Sequence, residues 1–171
     1  MKSKTKKWLE EWTDNDSNHA NVKEKAIIYY TAKNNVNGNM VDCLINYCSD
    51  KNLEIINTYK NDDCTKKGSK KFLFDMLTFI KSQKGRIHIV CKDFYDIFQD
   101  AGDLQILEPL ITIGRITIHI LKQNFIIDKN SYNADMIKRI NIMLLTRYCY
   151  ISTLSHNIKV AKNHKKSISK S

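Results

Sequence analysis

The chain has 171 residues and a formal net charge of +10, with 42% apolar and 27% charged residues. That composition suits one soluble domain with tails, large enough to bury a core. No apolar run approaches the ~18 residues of a membrane span, and the basic start runs into Trp8-Leu9-Glu10-Glu11-Trp12, not a secretory apolar stretch.

The charge is concentrated at the ends. Residues 1–7 hold four lysines and residues 159–171 hold five, with no acid in either stretch, so the remaining 19 basic residues face 18 acidic ones. The body is close to neutral. Terminal lysines suit phosphate contact by counterion release, and they equally suit solvated tails. The five cysteines (Cys43, Cys48, Cys64, Cys91, Cys149) form no CxxC pair. They read as reduced thiols of a cytoplasmic protein.

In chain order, residues 1–24 form a separable basic extension. Trp8, Leu9 and Trp12 are spaced to dock one helical turn, and residues 14–21 are a polar linker. Residues 26–30 (AIIYY) suit a strand buried on both faces, ending in the polar turn Thr31-Ala32-Lys33-Asn34. A helix is expected over 39–51, with Val41, Leu44, Ile45 and Cys48 on one face. A strand over 53–59 alternates as an edge strand does.

Residues 61–70 read as a loop, and 71–83 as a helix burying Leu73, Met76, Leu77 and Ile80 before Gly85. A strand at 86–91 leads into the acidic stretch 93–103. A helix is expected over 104–113, kinked or starting late because of Pro109. Gly114 precedes a fourth strand at 115–121. This alternation predicts an α/β fold, a mainly parallel sheet with helices on both faces.

The last element, from about 133 to 161, carries Ile137, Ile140, Leu144, Tyr148, Ile151, Leu154 and Ile158 at steps of three and four. At 1.5 Å per residue the helix is roughly 40 Å long, more than a small sheet needs as cover. Its far end is expected to serve as a dimer seam or partner surface. The resulting organisation is an extension and linker at 1–24, an α/β body at 25–130, the long helix at 131–162 and a basic tail at 163–171.

Several chemistries lack their residues. A phosphate-accepting receiver needs carboxylates after the first strand, where this chain has Thr31-Ala32-Lys33. The glycines at 38, 68, 85, 102 and 114 are isolated and make no nucleotide cradle. His88, His119 and Cys91 match no metal-ligand spacing and read as core or edge residues. Asp93, Asp96, Asp100 and Asp103, at steps of three and four, read as a solvated acidic face or a dock for the basic tail. No metal or cofactor is expected.

Over residues 25–166 the chain resembles the catalytic domain of serine site-specific recombinases, the resolvase and invertase family. The resemblance rests on Ile28-Tyr29-Tyr30-Thr31-Ala32-Lys33, Tyr47 with Asn52–Ile55, Asp62 and Asp63 with Lys70, and the run from Lys92 to Asp100. Leu107, Glu108, Gly114, Ile116 and the helix from Ile137 continue it. It implies a resolvase-like three-layer fold, with the long helix as the dimerisation helix and its basic end along DNA.

The family's serine attacks a DNA phosphate, and its arginines steady the developing charge. Here Lys33 stands at the serine position, and Thr31, Asp96 and Gln99 stand at arginine positions. The expected protein is therefore catalytically inactive. It self-associates through the stripe from Ile137 to Ile158, contacts DNA weakly and nonspecifically through Lys159, Lys162, Lys165 and Lys166, and pairs with itself or with an active recombinase that it modulates. Because the chain ends about a dozen residues after the stripe, sequence-specific DNA reading is not expected. The alternatives are strand exchange using Thr31 and a non-functional mobile-element remnant.

Overall fold

The computed structural model describes residues 23–31, 39–62 and 66–168. Nine elements precede the long helix: β1 (Glu24–Thr31), α1 (Asn39–Asp50), β2 (Leu53–Asn61), α2 (Lys66–Ser82), β3 (Ile87–Cys91), α3 (Phe94–Ile97), α4 (Ala101–Thr112), β4 (Ile116–Ile120) and β5 (Phe125–Ile127). The long helix is α5 (Ala134–Ile168).

The sheet order is β2-β1-β3-β4-β5. The first four strands run parallel, and β5 returns antiparallel to β4. The expected α/β class and mainly parallel sheet hold, with β2 at an edge. The fifth strand was not anticipated from sequence. It is three residues long and follows a tight turn in which Asn124 takes a positive φ of 51°, a left-handed conformation that asparagine tolerates better than most residues.

Period two on β1 places Ala26, Ile28 and Tyr30 on one face, packed with Met40, Leu44 and Cys48 of α1 and with Leu53 and Val90. Ile27, Tyr29 and Thr31 face the other way. Ile27 pairs with Ile89, and Ile89 with Ile118, so this second face is built mainly of isoleucine. All of these residues are buried, as expected for a central strand covered on both sides.

Three boundaries differ from the sequence reading. Helix α2 starts at Lys66, inside the expected loop, and carries Gly68 in its first turn, where the stretch has no proline to stop it. Helix α4 starts at Ala101, ahead of the expected 104, because Asp100 caps it. It runs through Pro109, whose missing N–H would have met the carbonyl of Gln105, an exposed position where water can bond that carbonyl. The acidic stretch also contains the short helix α3, capped by Asp93.

The chain divides into two compact units, one ending at Tyr132 and one starting at Asn133. In the second unit Ile140 is fully buried, Ile137 and Leu144 are half-buried, and Tyr148, Ile151, Leu154 and Ile158 are exposed. Among the described residues no helix is long and apolar enough to cross a membrane.

Candidate functional site

From β1 the chain leads to β2 on one side of it, while β3 lies on the other. The carboxyl ends of β1 and β3 therefore flank the point where the strand order reverses, the crevice in which open α/β sheets gather ligands. Thr31 ends β1, and Asp93 and α3 follow β3 directly.

Thr31 and Asp96, 65 positions apart, meet there. Thr31 Oγ1 donates to Asp96 Oδ1 at 2.8 Å, and both residues are buried. The other oxygen, Asp96 Oδ2, accepts the backbone N–H of Asp93 at 2.9 Å. Asp93 Oδ1 accepts the N–H of Tyr95, which closes a reciprocal cap on α3. Lys122 Nζ lies 2.6 Å from Asp93 Oδ2, and Gln123 donates to Asp93 Oδ1 at 3.1 Å. Burial alone would raise the Asp93 pKa. The bonds from Lys122, Tyr95 and Gln123 outweigh burial and hold it below the usual carboxylate value.

A second cap of the same design follows at once. Asp100 Oδ1 accepts the N–H of Gly102 at 2.8 Å, while Asp103 Oδ2 accepts the N–H groups of Gln99 and Asp100. Lys70 lies 3.5 Å from Asp100. Asp103 is buried, and its pKa is raised because burial exceeds the effect of its two amide bonds.

This corrects the expected solvated acidic face. Asp93, Asp96, Asp100 and Asp103 are helix-capping groups, with Asp93, Asp96 and Asp103 buried. The sequence signal was available, since Asp-x-x-Asp occurs twice, each time just ahead of a helix.

Carboxylates act on the groups beside Thr31. Burial pushes Tyr29 up to about 12 against a hydrogen bond from Asn61, and the charges of Asp96 and Asp103 add to the rise. Burial also raises Cys91, fully enclosed at the end of β3, and Asp96 and Asp93 reinforce that shift. Two groups on neighbouring strands thus sense carboxylates where a phosphate would need cations.

Of the residues singled out from sequence, Thr31 and Asp96 are brought together. Gln99 sits half-buried between the two caps, with its backbone bound to Asp103. Lys33 lies outside the described residues. Lys159 and Lys162 are exposed on α5, and Lys165 and Lys166 belong to its last turns. Lys122, Gln123 and Asn61 were not singled out, because only the folding of β4–β5 and the pairing of β1 with β2 bring them to this edge. No group of three metal-ligating side chains occurs among the described residues.

The structure is similar to that of a resolvase family site-specific recombinase from Streptococcus pneumoniae, with 12% identity and a TM-score of 0.53, over 82% of this chain and 99% of that one. The fold is that of a resolvase-type recombinase catalytic domain. The N-terminal catalytic domain of TP901-1 integrase gives 13% identity and a TM-score of 0.48, over 77% of this chain and 98% of that one. No protein family model and no curated protein matches the sequence. Within this recombinase-like fold, the carboxyl edge holds a hydroxyl bonded to a buried carboxylate.

Proposed function

We propose that this recombinase-like protein associates with a second subunit and contacts DNA without cleaving it. The bond from Thr31 to Asp96 carries the reading. A phosphoryl group brought to Thr31 would lie beside the Asp96 carboxylate, and at 4 Å with an effective dielectric of 20 the repulsion is about 4 kcal/mol. Lys122, the described cation nearest the caps, is already bonded to Asp93.

Association rests on α5. Between Ile137 and Ile158 the apolar positions advance 21 residues in six steps, the 3.5-residue period of a coiled-coil seam, and the outer part of that row is exposed. Weak, nonspecific DNA contact rests on Lys159, Lys162, Lys165 and Lys166 near its end. An active recombinase whose seam matches is the natural second subunit, and pairing with it would modulate strand exchange.

The same hydrogen bond supports one competing reading, since a hydroxyl donating to a carboxylate is also the geometry of a nucleophile beside its base. One assay separates the two. Incubation with duplex and supercoiled DNA followed by denaturing electrophoresis should show no covalent protein–DNA adduct. An adduct that Thr31→Ala abolishes would establish strand cleavage instead.

A further inference from the structure

Away from the carboxyl edge, four polar side chains cross the face of the sheet that α1 covers. Glu24 Oε2 at the start of β1 lies 3.1 Å from His88 Nε2 on β3. His88 Nδ1 lies 2.7 Å from His119 Nε2 on β4, and His119 Nδ1 lies 2.9 Å from the Tyr47 hydroxyl on α1. Both imidazoles are buried, whereas the Glu24 side chain is about half exposed. We propose that this chain is a proton-operated latch between α1 and the sheet, with Glu24 as the carboxylate that sets its direction and the Tyr47 end as its entrance from solvent.

The direction of the links follows from the nearby charge. The Glu24 carboxylate lies at ion-pair distance from His88 Nε2, which favours the His88 proton on Nε2 and leaves Nδ1 bare. His119 must then donate from Nε2, leaving its own Nδ1 to accept from Tyr47. One proton entering at the Tyr47 end reverses the order. His119 gains it on Nδ1 while the Tyr47 hydroxyl turns to accept, and His119 passes its Nε2 proton across 2.7 Å to His88 Nδ1, leaving His88 doubly protonated beside Glu24. A second proton has no place, because two imidazolium donors would face each other across 2.7 Å.

Charges around the chain pull in opposite directions. Glu24 and Asp128 favour protonation, while Arg86 and Lys51 oppose it. Burial opposes it most, and both histidines are held below the ordinary imidazole pKa. The latch is therefore set at neutral pH and reversed on acidification, which changes the bond that ties α1 to β4.

Imidazole nitrogen NMR on the full chain, titrated from pH 8 to pH 4, tests this. At pH 8 both histidines should carry their proton on Nε2. On acidification His88 should become doubly protonated at the same midpoint at which His119 loses its Nε2 proton and carries one on Nδ1. Tyr47→Phe should lower that midpoint by about half a pH unit, roughly threefold in proton affinity. Should Tyr47→Phe fail to fold, as judged by circular dichroism, Glu24→Gln at a half-exposed position should lower the His88 midpoint instead. Separate midpoints for the two rings, an Nδ1 proton on either ring at pH 8, or a midpoint unmoved by the folded variant would overturn the proposal.

Discussion

The hydroxyl of Thr31 and the carboxylate of Asp96 form a buried hydrogen bond that joins the end of β1 to the first turn of α3. Asp96 also accepts the Asp93 amide, so one side chain caps a helix and fixes the strand end beside it. Removing the carboxylate leaves two buried donors without this acceptor, whereas removing the hydroxyl leaves Asp96 its amide bond. Asp96→Ala should therefore cost about 3 kcal/mol and Thr31→Val about 1–2 kcal/mol. Urea denaturation gives both values, and a Thr31→Val cost equal to or above that of Asp96→Ala would show that the carboxylate does not organise this edge.

The two buried histidines predict an acid-sensitive fold. His119 is depressed to about 4, chiefly by burial and then by the neighbouring His88, and His88 is lowered in the same direction. A depressed folded-state pKa means that the unfolded chain binds the proton first. Stability is therefore complete above about 6.5 and falls as pH drops toward about 4. Both rings shift in the same direction, so stability should fall between pH 7 and pH 5. Asp93, Asp100 and Asp128 are all lowered below the ordinary carboxylate value, so their contributions are lost only at more acid pH. Denaturation at pH 7 and pH 5 should show the drop, and His119→Gln should flatten it.

What the sequence reveals about this molecule follows from the range of the interactions involved. Strands β1 to β4 and most of their helices were legible because their apolar periodicity is local. β5 has only three residues and depends on its antiparallel pairing with β4, so no window of sequence betrays it. Thr31 and Asp96 were singled out through the resemblance, but their direct bond was not legible, because it spans 65 positions. The acidic stretch is ambiguous for a different reason. Steps of three and four suit a helix face and a pair of capping boxes equally, and what decides between them is where each helix starts.

Helix α5 offers a contrast between buried and exposed positions of one stripe. Ile140 is fully buried, while Ile151 and Leu154 stand in the exposed outer row. Ile151→Asp combined with Leu154→Asp should leave stability within about 1 kcal/mol yet shift light scattering from dimer to monomer. Unchanged mass in the double variant would remove the outer row from any seam.

The basic end of α5 gives a prediction that depends on salt. Residues 159–171 carry five lysines and no acid, and each phosphate neutralised contributes about −0.9 to the slope of log binding constant against log salt. Deleting 159–171 should make that slope shallower by about 3–4 and reduce affinity similarly for unrelated duplex sequences, because lysines that touch only phosphate read no bases. Fluorescence anisotropy at several salt concentrations measures both effects. A deletion that changes affinity for one sequence alone would assign base reading to this end, and an unchanged slope would move the DNA contact elsewhere on the molecule.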